Sequence, residues 1–125
     1  VRLLLDTHVV LWQLSGERTL SAAAIEAIGS ADDLLFSVVS FAEVGVKAAV
    51  GKLEVPDDFK QQVAEAGVRT LGLSAEHGLA VAGLPLHHRD PFDRLLIAQA
   101  RSDGLTVVSA DRRFSAYPVP LIDAS

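Results

Sequence analysis

Four carboxylates stand where apolar segments give way to a turn or a helix start. Asp6 closes Leu-Leu-Leu-Asp6-Thr7, Glu43 follows Ser40-Phe-Ala, Asp93 follows Asp90-Pro-Phe, and Asp111 closes Thr106-Val-Val-Ser109-Ala-Asp111. Carboxylates that are crowded together raise one another's pKa unless a cation intervenes. Oxygen donors without a His or Cys partner suit Mg2+ or Mn2+ better than Zn2+. Gathered in one crevice, these four acids would hold such a cation and support hydrolysis of a phosphodiester, with no side-chain nucleophile required.

Each acid also has a structural explanation. Glu43 sits where it would complete a capping box begun by Ser40. Asp90 reads better as an N-cap than as a ligand, because Pro91 follows at the first helical position. Asp93 shares a helix face with Leu96, Ile97 and Ala100, which brings its carboxylate to the edge of a core. Asp6, after an apolar run, is the hardest to explain as surface.

The neighbouring groups divide in the same way. Lys47 lies four residues after Glu43, suited to a helix ion pair or to holding a phosphate. Arg94, Arg112 and Arg113 flank ligand candidates, where they could steer a polyanion or simply be solvated. Thr7 and Ser109 are candidates to orient ligands, or ordinary strand-end residues. Adjacent His87 and His88 have no third His at metal spacing and are poor ligand candidates. His8 and His77 read as helix-end residues, and Trp12 as core.

The elements that must position these groups alternate between strand and helix. Apolar runs at residues 2–5, 34–39, 68–73 and 105–109 predict strands, with a fifth at 119–122. Helical segments fall at 9–14, at 21–28 behind a Ser21 cap, and from Ser40 to Gly51. Further helices run from Pro56 to Gly67, from Ser74 to near Gly83, and from an Asp90 cap to about Arg101. Strands alternating with helices imply a mostly parallel sheet of four to five strands in a three-layer α/β/α arrangement, with right-handed crossovers. In such a sheet functional groups collect outside the carboxyl ends of the strands. With no repeat, linker or low-complexity stretch, residues 1–125 are read as one domain.

Composition narrows the classes further. A net charge of −5 argues against a protein held to nucleic acid by bulk electrostatics, although not against a nuclease with a clustered acidic site. Five of the eleven basic residues, Arg89, Arg94, Arg101, Arg112 and Arg113, fall in the last third among Asp90, Asp93 and Asp111. The chain has no cysteine, so disulfides and thiolate metal sites are out. No apolar run approaches a membrane span, and the leucines before Asp6 are too few for a signal peptide. A soluble, cytoplasmic protein is the expectation.

Several motifs fail on inspection. Gly45 to Leu53 has glycines and Lys52 in a P-loop-like order, but one residue too many and no Ser or Thr after the lysine. Asp6-Thr-His8-Val is similar to the nucleophile motif of haloacid-dehalogenase phosphatases, but His8 replaces a required Asp. An α/β phosphatase acting on small phosphoesters is accordingly a remote third reading.

Taken in order, Leu-Leu-Leu-Asp6-Thr7-His8, Ser40-x-x-Glu43 with Lys47 and Gly51-Lys52-Leu53, His88-Arg-Asp90-Pro-Phe-Asp93-Arg-Leu-Leu-Ile-Ala-Gln-Ala100 and Val-Val-Ser109-Ala-Asp111-x-x-Phe114 resemble the PIN domain. Within it, the likeness is to the VapC-type toxins of toxin–antitoxin pairs, and the stretch 88–100 is its most specific part. The resemblance implies a compact α/β/α endoribonuclease that uses Mg2+ or Mn2+ to cut RNA. Its acids fall on Asp6, Glu43 and Asp93, with Asp111 at a fourth, variable position and a register choice left between Asp90 and Asp93. It also implies a homodimer and a protein antitoxin whose C-terminal segment blocks the site. A non-catalytic PIN-like module that binds RNA or protein is the alternative.

Overall fold

The computed structural model describes residues 1–125. Five strands, β1 (Arg2–Leu5), β2 (Asp33–Ser37), β3 (Arg69–Leu71), β4 (Thr106–Ser109) and β5 (Leu121–Asp123), form one sheet in the order β3-β2-β1-β4-β5. Every pairing is parallel. Six helices accompany them: α1 (Thr7–Ser15), α2 (Ala22–Ser30), α3 (Val38–Ala49), α4 (Phe59–Glu65), α5 (Ala75–Ala80) and α6 (Pro91–Asp103). Single 3-10 turns follow α5 (Val81–Gly83) and β4 (Arg112–Ala116).

The unbroken Leu3-Leu4-Leu5 run follows from the position of β1 at the centre of the sheet, buried on both faces. Side chains alternate across a strand, so Leu3 and Leu5 pack with α1, α2 and α4, through Val9, Val10, Ala24, Phe59 and Val63. Leu4 turns the other way, with Leu96, Ile97 and Ala100 of α6, Val107 and Phe114. Helix α3 contributes Val44 to the first core and Val39 to the second, so it straddles the layers. The expected three-layer α/β/α sandwich is therefore the observed one. Phe36, Phe41 and Phe59 meet edge to face, with centroids 4.9–6.2 Å apart.

Some boundaries differ from the sequence expectation. The run 34–39 does not stay extended: β2 ends at Ser37, whose hydroxyl accepts the Val39 N–H at 3.0 Å and caps α3. Val38 and Val39 are thus the first turn of a helix, a case apolar content alone does not separate from a buried strand. Helix α4 starts at Phe59 rather than at Pro56, and β3 is only Arg69–Leu71. The fifth strand is shifted to Leu121–Asp123, because Pro120 has no N–H to give; its carbonyl accepts from Val107 N–H just before the ladder.

One buried polar group ties the layers at the sheet's carboxyl end. Gln99 of α6 is fully buried; its Oε1 accepts from Ser37 Oγ at 2.5 Å and its Nε2 donates to the Gly72 carbonyl at 3.2 Å. At the far end of α6 Gly104 adopts φ 67° and donates to Ala100 O, a left-handed cap suited to glycine. No helix is long and apolar enough to cross a membrane.

Candidate active site

The strand order reverses direction between β1 and β4, and a crevice opens there beyond the carboxyl ends of the strands. Asp6 lies at its floor. Its backbone N–H extends the ladder to Val108 O, and its side chain accepts from Thr7 N–H at 2.7 Å and from Ser109 Oγ at 2.8 Å. Burial outweighs those two hydrogen bonds and raises the Asp6 pKa, with the Glu43 charge adding to the rise.

Glu43 faces Asp6 from α3, but not as a helix cap. Ser37 caps α3, so Glu43 falls in the second turn and the expected Ser40–Glu43 capping box does not form. Glu43 Oε1 instead accepts from Thr7 Oγ1 at 2.7 Å, and Oε2 pairs with Lys47 Nζ at 2.5 Å. Ser40 is left with a buried hydroxyl that has no hydrogen-bond partner. Lys47 has its pKa raised chiefly by the Glu43 hydrogen bond.

Asp90 is the N-cap of α6, accepting from Phe92 and Asp93 N–H at 2.9 and 3.2 Å. That cap fixes the first turn and delivers Asp93, which is 5 % exposed, to the crevice wall. Burial, then the charges of Asp90 and Asp6, push the Asp93 pKa up to about 8. Asp111 caps the 3-10 turn after β4 and is held by Arg113, whose Nη2 lies 2.7 Å from Oδ2. The same guanidinium reaches Asp93 Oδ2 at 3.4 Å. Hydrogen bonds from Arg113 hold Asp111 below the usual carboxylate range.

Asp6, Glu43, Asp93, Asp111 and Asp90 thus line one cleft of about 260 Å3, together with Lys47, Arg113, Arg18, His8 and Trp12. The four predicted acids do share a site. They do not form a ready-made cage: no three acidic or imidazole groups are arranged to hold a metal ion. Glu43 is turned onto Lys47 and Asp111 onto Arg113. By donor chemistry the site nevertheless fits a hard divalent cation. All five acids offer oxygen, and Asp6 and Asp93 remain raised despite the cations nearby, so their buried charge is under-compensated.

Three other residues differ from expectation. His88, read as a poor ligand candidate, touches the site through Asp93: its Nε2 lies 3.2 Å from Oδ2, while its Nδ1 lies 2.8 Å from the Tyr117 hydroxyl. An ionised Asp93 selects the Nε2–H tautomer, which donates to it. Arg94 does not face the cleft; it is buried and donates to Pro85 O, Val81 O and Tyr117 OH, bracing the loop before α6. Trp12 packs against the core as read, but it is only half-buried and also lines the cleft rim. The spacing Asp6-x-His8-x-x-x-Trp12 was the available signal, since residues four apart share a helix face.

Fold and cleft together define an α/β domain with a polyacidic crevice at the switch point of a parallel sheet. The PIN domain family pattern matches residues 3–120, and the chain belongs to that family. It is 34 % identical over 121 residues to Ribonuclease VapC22 of Mycobacterium tuberculosis (strain ATCC 25618 / H37Rv), covering 94 % of this chain and 92 % of that protein. Its fold is similar to a chain of VapBC2 from Rickettsia felis bound to a DNA fragment from their promoter, with TM-score 0.74, 14 % identity and full coverage of both chains. It is also similar to a chain of a toxin–antitoxin complex from Klebsiella pneumoniae, with TM-score 0.65, 16 % identity and coverage of 95 % and 94 %.

Proposed function

We propose that residues 1–125 form a single PIN-like domain that acts in the cytoplasm as a Mg2+- or Mn2+-dependent endoribonuclease, the toxin of a toxin–antitoxin pair. The observation that carries this is the pair of buried carboxylates, Asp6 and Asp93, facing one cleft with their pKa values raised. The identity with a named ribonuclease over most of both chains supports RNA as substrate.

In this reading Asp6, Glu43 and Asp93 hold the cation and Asp111 completes the set. When bound, the ion supplies Lewis acidity to a phosphodiester and activates water for its hydrolysis. The chain's own contribution is orientation. Ser109 and the Thr7 N–H fix Asp6, the Thr7 hydroxyl fixes Glu43, and His88 fixes Asp93. Lys47 and Arg113 keep the acids paired beforehand and offer positive charge to a phosphate afterwards. Placing such donors where charge develops is the largest catalytic lever a site of this kind has. A protein antitoxin and a homodimer belong to the same reading; light scattering of the purified chain tests the dimer.

The second reading is a non-catalytic module that binds RNA or protein. The pairing of Glu43 with Lys47 and of Asp111 with Arg113 is the observation in its favour. Incubation of the antitoxin-free chain with single-stranded RNA separates the two. The nuclease gives internal cleavage with Mg2+ that stops with EDTA, and a binding module gives none. Turnover of a generic phosphomonoester without internal RNA cleavage would favour a phosphatase instead.

A further inference from the structure

We propose that Trp12 and the apolar cavity beside it form a binding subsite for one unpaired nucleobase of the RNA, next to the phosphate held in the acidic cleft; the inference rests on the nuclease reading above. Trp12 and His8 line both the cleft and a separate cavity of about 180 Å3. That cavity is walled by Leu53, Val55 and Phe59 and shares only His8 and Trp12 with the cleft, so the two rings stand between the two spaces. Sites for whole drug-sized ligands measure about 300–1,000 Å3, so this one suits a single ring system.

Charge separates what can enter the two spaces. Glu17 and Glu54 line the cavity, which carries no Lys or Arg, so a phosphate is repelled there. A nucleobase is neutral, has an apolar face, and offers amino groups that those carboxylates accept. Three cations line the cleft, and two of them, Lys47 and Arg113, are engaged with carboxylates. Arg18 is not: it makes no ion pair, and its guanidinium lies over one face of the Trp12 ring, 4.4 Å from the centre, in a cation–π contact. Arg18 lines the cleft and not the cavity, so the Trp12 surface bounding the cavity is clear of it. Single-stranded RNA is recognised by just this combination of an aromatic stacking surface and an unpaired cation nearby. The chain's one tryptophan therefore takes the base, and Arg18 takes the adjoining phosphate.

Because Trp12 is the single tryptophan, its fluorescence reports the subsite directly. The experiment titrates Asp6→Asn protein, with Mg2+, against a short single-stranded oligoribonucleotide and against versions carrying an abasic ribose at each position in turn. Binding is followed in parallel by anisotropy. The expected result is saturable quenching that one abasic position abolishes while that oligonucleotide still binds. Trp12→Leu should raise the KM for RNA on the order of ten- to a hundredfold with kcat little changed, and Trp12→Phe should restore most of it. Cleavage by wild type without quenching, or an unchanged KM in Trp12→Leu, overturns the subsite and leaves the cavity to a partner's apolar side chains. Quenching that survives every abasic substitution also overturns it. Base-dependent quenching without any wild-type cleavage upholds the subsite and overturns the nuclease reading.

Discussion

Replacing Asp93 by Asn should stabilise the metal-free protein, and by an amount that depends on pH. Folded Asp93 keeps its proton to about pH 8, against an ordinary value of 3.8. Between those limits the folded state binds more protons than the unfolded state, so stability falls as pH rises from about 4 to about 8, and the full penalty remains above that. Fully expressed, the difference would be about 6 kcal/mol at about 1.4 kcal/mol per pH unit. The open cleft lets solvent screen much of it. We expect about 2–3 kcal/mol. Asn keeps a contact to His88 but gives up about 0.3–1 kcal/mol of favourable charge at the start of α6. The net gain at pH 8 is then about 1–2 kcal/mol, a rise in Tm of roughly 3–8 °C for a chain of this size. Thermal unfolding in EDTA from about pH 4 to about pH 8 reads this, with the gap closing at the acid end. Asp93→Asn that is destabilised at pH 8, or a gap that does not change with pH, would refute the reasoning.

Other perturbations test the parts around it. Thr7→Val removes the hydroxyl that donates to Glu43 Oε1 at 2.7 Å and should raise the Mg2+ concentration needed for half-maximal RNA cleavage about 10–100-fold, with the Asp6 cap intact. Asp111→Asn preserves an oxygen for the Arg113 N–H and should lower cleavage only about tenfold in a timed RNA digest, far less than loss of Asp6 or Asp93. Gln99→Leu leaves Ser37 and the Gly72 carbonyl without their buried partner and should cost about 1–3 kcal/mol in urea unfolding, whatever the metal.

Where hydrophobic pattern and chemistry coincided, the sequence was easy to read. The Leu3–Leu5 run suited a strand buried on both faces, and Asp90-Pro91 announced the start of α6. The gathering of Asp6, Glu43, Asp93 and Asp111 followed from placing strand ends on one side of a parallel sheet. What stayed hidden depended on partners distant in sequence. Ser37, not Ser40, caps α3, and the Ser37 hydroxyl is also held by Gln99, sixty-two residues away, a partner the local capping pattern does not reveal. His88 became a contact of Asp93 only once Tyr117 and the loop before α6 were folded around it. Arg94 and Arg113 have the same chemistry and similar neighbours in the sequence, yet one braces a loop and the other faces the acids; tertiary packing alone separates them. The RNA substrate and the antitoxin rest on kinship, not on any residue spacing.

The central claim is that the buried acids work through a divalent cation on RNA. Its most direct test is the rate of single-stranded RNA cleavage against Mg2+ concentration, for wild type and for Asp6→Asn, with folding checked by circular dichroism. The account predicts a saturable, EDTA-reversible rate in wild type and only the enzyme-free background in a folded Asp6→Asn protein. Undiminished cleavage by folded Asp6→Asn, or wild-type cleavage that persists in EDTA, would contradict it.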